Sequence, residues 1–256
     1  MKEMTLTDHL RELRTRLIWV AAILFIAFGV CYNFGIEFQN ALLKPLKEAL
    51  GDSGQIMFTG LLDKVLTQFQ LAFWSALITS SPFWFSQIWF FIKPGLYEKE
   101  VKIIRPFIFL SFILFIAGVA FGYYIVFPFT FQTMLEFGVN DIEAMISLKE
   151  YVVLTSKVLV FLGLLFQLPN VLLIAGFMGL VSGKQLLSWA RYVLTGFAVV
   201  SALLTPPDPI TMMALWVPLT ALYFFGTSLV FLFVDPWKKK KNKDLETYNP
   251  DSSRSS

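Results

Sequence analysis

The chain has 256 residues, 56% of them hydrophobic and only 15% charged, with a formal net charge of +3. A mean hydropathy of +0.66 and a charge content well below the roughly 25% of soluble domains exclude an ordinary water-soluble globule. A single cysteine, Cys31, set in an apolar run, excludes a disulfide framework or a thiol metal cluster and reads as a small buried apolar residue.

A membrane helix needs about 20 apolar residues to cross about 30 Å of hydrocarbon. That ruler predicts an all-α polytopic bundle of six spans, residues 1–234, and the 28 Phe and 7 Trp suit lipid-facing helices and interfacial belts. The chain enters through an amphipathic helix over 5–16, in which Asp8, Glu12 and Arg16 share one face at intervals of four. It runs directly into the first span, about Leu17 to Phe34, which lacks a small-residue cleavage pattern after it and reads as a retained span. Residues 35–66 carry Leu42, Leu43, Leu46 and Leu50 at helical spacing, so a short amphipathic helix bent or started by Pro45 is predicted across the outer face.

The second span is placed from about Thr67 to Ile92, ending in an aromatic block, and the third from Arg105 to near Pro128. Asn140 to Glu150 forms an outer acidic segment. The fourth span, about Tyr151 to Gly179, contains Lys157, Gln167 and Pro169. Lys157 is expected to snorkel to the outer surface, and Gln167 to line a water-accessible concave face, because an amide at membrane depth needs partners or water.

Between Arg191 and Pro206 the fifth span has fourteen residues, which reach only about 21 Å. It is therefore predicted to be short, with bilayer thinning or a concave wall beside it. The sixth span, also expected to be short, runs to about Val234 and is interrupted by Pro218. Residues 235–256 are basic, then Ser-, Asp- and Asn-rich, the composition of a disordered tail. The Lys238–Lys241 run is expected to fix topology and meet anionic lipid.

Cytoplasmic loops retain Lys and Arg. Placing the N-terminus, the second-to-third loop, the fourth-to-fifth loop and the C-terminus on one side collects 16 of 21 basic residues, as four, four, two and six. Both termini are thus expected in the cytoplasm. No Gly-rich nucleotide loop, His-Glu-x-x-His helix or Gly-x-Ser-x-Gly elbow occurs, and the one histidine, His9, lies outside the spans. Neither enzymatic activity, cofactor, metal site nor nucleic-acid partner is expected.

Two stretches on the cytoplasmic side, His9-Leu10-Arg11-Glu12-Leu13-Arg14-x-Arg16-Leu17 and Pro82-x4-Gln87-x-Trp89-x-Phe91-x2-Pro94-Gly95-Leu96-Tyr97-x2-Glu100, carry a resemblance. With Phe127-Pro128 and Leu203-Leu204-Thr205-Pro206-Pro207-Asp208 they resemble TatC, the multispanning receptor family of the twin-arginine translocase, in order and along the chain to about Val234.

The resemblance implies recognition of twin-arginine signal peptides of folded cargo at the cytoplasmic face of a bacterial inner membrane. It also implies recruitment of single-span TatA- or TatB-type partners, with a homo-oligomer and coupling to the proton gradient as further possibilities. Glu12 and Glu100 take the positions of the family's carboxylates that meet the arginine pair, with Phe91 and Arg14 in the matched motifs. Two separate carboxylates suit two guanidiniums, each a planar fork of donors. Leu203, Thr205 and Asp208, at the outer end of the fifth span, fall where the family contacts a partner helix.

Two departures stand out: Gln167 replaces a Glu found in many members, and Met212 replaces a Gln found in some. A secondary transporter or channel is the alternative reading, but it should show related halves around a polar midplane site, and no repeat is evident. A membrane scaffold is weaker still.

Overall fold

The structure is a computed structural model that describes residues 6–50, 54–58, 60–92, 98–136, 144–205 and 208–236, with backbone alone for 6–9, 54, 92, 98–107, 135–136 and 144. Of the expected tail over 235–256, residues 237–256 lie outside the described residues, while Asp235 and Pro236 are still helical. The fold is almost wholly helical: α1 Leu6–Asn33, α2 Gly35–Leu50, α3 Asp63–Thr79, α4 Ser81–Ile92, α5 Glu98–Phe121, α6 Phe127–Glu136, α7 Leu148–Leu165, α8 Leu168–Phe177, α9 Gly183–Leu204 and α10 Pro209–Leu229. Two short strands, β1 Gly54–Met57 and β2 Ala144–Ser147, pair in parallel with Gly54 opposite Ala144.

Among the described residues five stretches are long and apolar enough to cross a membrane: Leu10–Asn33, Ile108–Met134, Leu148–Phe177, Gly183–Leu204 and Pro209–Val234. The expected second span differs, since it is built from α3 and α4 broken at Ser80. Pro82 explains the break, because it has no N–H to bond the carbonyl four residues back and its ring crowds that turn. At the break the Trp84 indole donates to the Leu77 carbonyl at 2.9 Å.

Prolines shape the other spans too. The third expected span does not stop at Pro128; a π turn at Gly122–Val126 absorbs the lost hydrogen bond and α6 continues the helix to Glu136. The fourth breaks at Phe166–Gln167, and Pro169 then sits in the first turn of α8, where its missing N–H costs least.

The fifth span is corrected most. The helix begins eight residues before Arg191, at Gly183, through a capping box in which Ser182 and Gln185 satisfy each other's backbone N–H. At 22 residues it reaches about 33 Å, so neither it nor the stretch Pro209–Val234 is short as a helix. The interruption at Arg191 is one of polarity, not of backbone.

The span α7–α8 lies at the centre, with 56% of its apolar window buried against 6% in α1. It packs on α3 and α5, while α10 packs on α8 and α9, and α1 on α3 and α4. Glycines permit the closest crossing: a Cβ at Gly118 of α5 would lie 2.7 Å from the Leu162 carbonyl oxygen and 2.9 Å from the Gly163 Cα of α7. Large exposed side chains such as Trp19, Phe25 and Ile26 on α1 fit a hydrocarbon surrounding, since no water need be met there.

At the end remote from the N-terminus the predicted amphipathic helix is present as α2, with Leu42, Leu43, Leu46 and Leu50 buried. Pro45 lies inside it and deprives the Ala41 carbonyl of its helical donor. Tyr123 supplies one, its hydroxyl donating to Ala41 O at 2.6 Å, and Tyr151 donates to Leu42 O at 2.8 Å. The Lys149 ammonium meets Asp63 Oδ1 at 3.0 Å beside the β1–β2 pair. Beneath this cap an apolar recess of about 150 Å³ opens among Phe38, Leu42, Trp74, Ile78, Tyr123 and Leu159.

Candidate functional site

At the opposite end, α1 and α4 hold a small polar cluster. Glu12 and Arg16 lie one turn apart on α1, and Arg16 Nη2 donates to Glu12 Oε1 at 3.3 Å. The other guanidinium nitrogen, Nη1, donates to Gln87 Oε1 of α4 at 3.2 Å. The Arg16 Cζ lies 5.4 Å from the centroid of the Phe90 ring, within range of a cation–π contact. Glu12 and Arg16 remain partly exposed, and Arg14 is exposed.

The structure thus brings Glu12 to the α1–α4 groove. Phe91 follows Phe90 on α4 and is half-buried. Glu100 stands in the first turn of α5, whose first residue, Glu98, comes soon after the end of α4 at Ile92; its side chain lies outside the described residues, as does that of Asp8. Sequence reasoning placed Arg16 on the face of Glu12 but missed its tie to Gln87 and Phe90. Gln87 stood in the quoted motif, yet nothing in a linear motif says which helix it faces.

A second polar cluster ties α4 to the centre of the bundle. Trp89 Nε1 donates to Ser111 Oγ at 2.9 Å, Asn170 Nδ2 donates to the same oxygen at 2.9 Å, and Gln167 Nε2 donates to the Ser111 carbonyl at 2.9 Å. Asn170 Nδ2 also reaches Gln167 Oε1 at 3.1 Å. Gln167 is therefore buried between helices and does not line a water-accessible face. The break at Phe166–Gln167 turns the amide towards α5, where a backbone carbonyl accepts its N–H. Ser111 and Asn170 gave no warning in the sequence, being small or unremarkable polar residues in apolar runs.

At the far end of α9, Leu203 is 80% exposed, whereas Thr205 is buried and donates to the Ser201 carbonyl at 2.8 Å. Asp208 caps α10, its Oδ2 accepting from the N–H groups of Ile210 at 3.0 Å and Thr211 at 2.9 Å. Lys157 is exposed on α7. Among the described residues no group of three or more His, Cys, Asp or Glu is placed to hold a metal.

The family model described as Sec-independent protein translocase protein (TatC) matches residues 8–218. The chain belongs to the TatC family. It is 37% identical over 228 residues to the Sec-independent protein translocase protein TatC of Magnetococcus marinus, covering 88% of this chain and 84% of that one. With the TatC of Desulforapulum autotrophicum it shares 37% over 240 residues, covering 94% and 87%. The fold also matches a crystal structure of the twin arginine translocase receptor TatC, with a TM-score of 0.76 and 27% identity over 88% of this chain and 98% of that one. The same receptor in the detergent DDM gives 0.78 and 27%, over 87% and 99%.

As a TatC family member the protein is a multi-pass membrane component of the twin-arginine translocase, a transport protein and not an enzyme. The transporter or channel alternative falls with that membership. The TatC motifs around Glu12 and Gln87 are those that α1 and α4 bring side by side.

Proposed function

We propose that this TatC protein binds the twin-arginine signal peptides of folded cargo at its N-terminal end, with Glu12 and Glu100 as a split acidic site and Arg14 and Phe91 beside it. The observation that carries this reading is the position of Glu12: its carboxylate pairs with Arg16, which reaches across to Gln87 of α4, and the helix that begins with Glu98 and contains Glu100 follows α4 in the chain. Two carboxylates on different helices suit two adjacent guanidiniums, each needing its own pair of acceptor oxygens.

In this reading α3 and α4 together form the second of six spans, both termini lie in the cytoplasm of a bacterial cell, and residues 1–234 form one membrane domain in the inner membrane with 235–256 as a basic tail. The distribution of Lys and Arg supports the orientation. Leu203, Thr205 and Asp208 mark the face offered to the transmembrane helix of a TatA- or TatB-type partner; exposed Leu203 provides the apolar contact, while Thr205 and Asp208 shape the turn. The resemblance to the family further implies a homo-oligomer built on the same bundle and coupling to the proton gradient.

The test is affinity and photo-crosslinking of an arginine-pair signal peptide with Glu12→Ala and Glu100→Ala proteins. Each substitution should weaken binding, and unchanged binding in both ends the proposal. Crosslinking from Leu203→Cys to a single-span partner tests the second surface.

A further inference from the structure

We propose that the α1–α4 groove is a guanidinium subsite, and that Arg16 fills it in the free protein as an internal stand-in that a peptide arginine displaces. This rests on the reading of Glu12 as a signal-peptide carboxylate and adds Gln87, Phe90 and Arg16 to that site.

Three different groups surround the Arg16 guanidinium: a carboxylate oxygen of Glu12 at 3.3 Å, an amide oxygen of Gln87 at 3.2 Å, and the face of Phe90 at 5.4 Å. Charge-assisted acceptor, neutral acceptor and aromatic plane are the chemistries that favour guanidinium over ammonium. The groove is therefore already shaped around an arginine head group, and a peptide arginine would find the same partners.

Arg16 is held loosely for such a site. Both hydrogen bonds are longer than the roughly 2.7–2.9 Å of a strong charge-assisted pair. The buried Nε has no acceptor, and only Oε1 of Glu12 is engaged by Arg16 among the described residues. The side chain is 31% exposed, so it has a path to water when displaced. Exchange conserves charge, since one guanidinium leaves Glu12 as another arrives.

A mere brace between α1 and α4 is not required of Arg16. Deeper along the same pair of helices, Val20 and Leu24 of α1 pack against a buried cluster of Trp84, Phe85 and Phe115, which fastens the helices without it. As a stand-in, Arg16 sets a threshold: an incoming residue must replace its contacts. A lysine, with no planar fork, replaces fewer of them, so Arg16 sharpens discrimination between arginine-pair and lysine-pair peptides.

The experiment measures affinities of labelled synthetic signal peptides, one with an arginine pair and one with a lysine pair, for the full chain in nanodiscs. Arg16→Lys keeps the charge but loses the fork, and should tighten arginine-pair binding about threefold; Arg16→Gln should tighten it about three- to tenfold, the range expected for one exposed ion pair and one cation–π contact. Both should narrow the preference over the lysine-pair peptide. Adding Gln87→Leu to Arg16→Lys should cancel the gain.

The exposed Arg11 supplies the control for bulk charge. Arg11→Gln should change affinity less than twofold, on the order of the small effect of one screened surface charge. If the Arg16 variants weaken binding or leave it unchanged, or if Arg11→Gln tightens it as much as Arg16→Gln, the stand-in is overturned. Glu12→Gln separates the two readings. Weakened binding there with no gain from Arg16→Lys ends the stand-in alone, whereas unchanged binding there removes the carboxylate reading and the stand-in with it.

Discussion

The two ends of the bundle are built differently. The cap formed by α2, the β1–β2 pair and the start of α7 is fastened by two tyrosine hydroxyls on backbone carbonyls, by the Asp63–Lys149 ion pair and by four buried leucines. The N-terminal end is joined above its apolar contacts by one partly exposed guanidinium with long hydrogen bonds. The four leucines and the Tyr151 hydroxyl of the cap are buried contacts, expensive to break, while the part-exposed ionic contacts exchange more readily with water or a ligand. The difference assigns rigidity to the cap and recognition to the other end.

The largest effect should come from the crossing beneath the cap. Gly118→Leu would drive a side chain into the α7 backbone, and we expect a loss of about 3 kcal/mol or more, read as loss of folded protein in detergent extraction. Normal assembly of this variant would show that α5 and α7 do not approach so closely. Asp63→Ala, leaving Lys149 without its ion-pair partner, should destabilise by about 1.5–3 kcal/mol in thermal unfolding followed by tryptophan fluorescence, with peptide binding unaltered. A binding defect at constant stability would break the division between the ends.

Ser111→Ala removes an oxygen that accepts from both Trp89 and Asn170. It should cost about 1–2 kcal/mol and, because Trp89 adjoins Phe90 on α4, weaken signal-peptide binding modestly as well. It is the one position expected to register at both levels. Glu12→Ala should change stability by less than about 1 kcal/mol yet reduce peptide affinity severely. Smallest is Glu48→Ala in the exposed Lys44–Glu48 pair, 3.9 Å apart, expected to shift stability by under about 0.5 kcal/mol.

Much of this contrast was legible beforehand. The leucine spacing of residues 42–50 marked α2, and the interval of four from Glu12 to Arg16 marked their ion pair, because both depend on a period within one helix. Gln167 shows the limit. Its polarity announced that it needed partners, but water and a neighbouring helix are equally good answers in the sequence, and only the bend at Phe166–Gln167 presents its N–H to the Ser111 carbonyl. The shortness assigned to the fifth span failed for a related reason. Arg191 interrupts apolarity, yet the capping box at Ser182 and Gln185 starts the helix well before it.

By itself the sequence determined that the chain crosses a membrane as helices, roughly where those helices lie, and which motifs place it among the TatC proteins, because hydropathy, charge and short motifs are properties of neighbouring residues along the chain. Only the tertiary structure decided which residues meet: Tyr123 at the carbonyl freed by Pro45, strand Gly54–Met57 beside Ala144–Ser147, and Arg16 between Glu12, Gln87 and Phe90. Those pairings depend on which helix stands opposite and how it is turned. That is set by packing across the bundle, through close crossings such as Gly118 against Gly163.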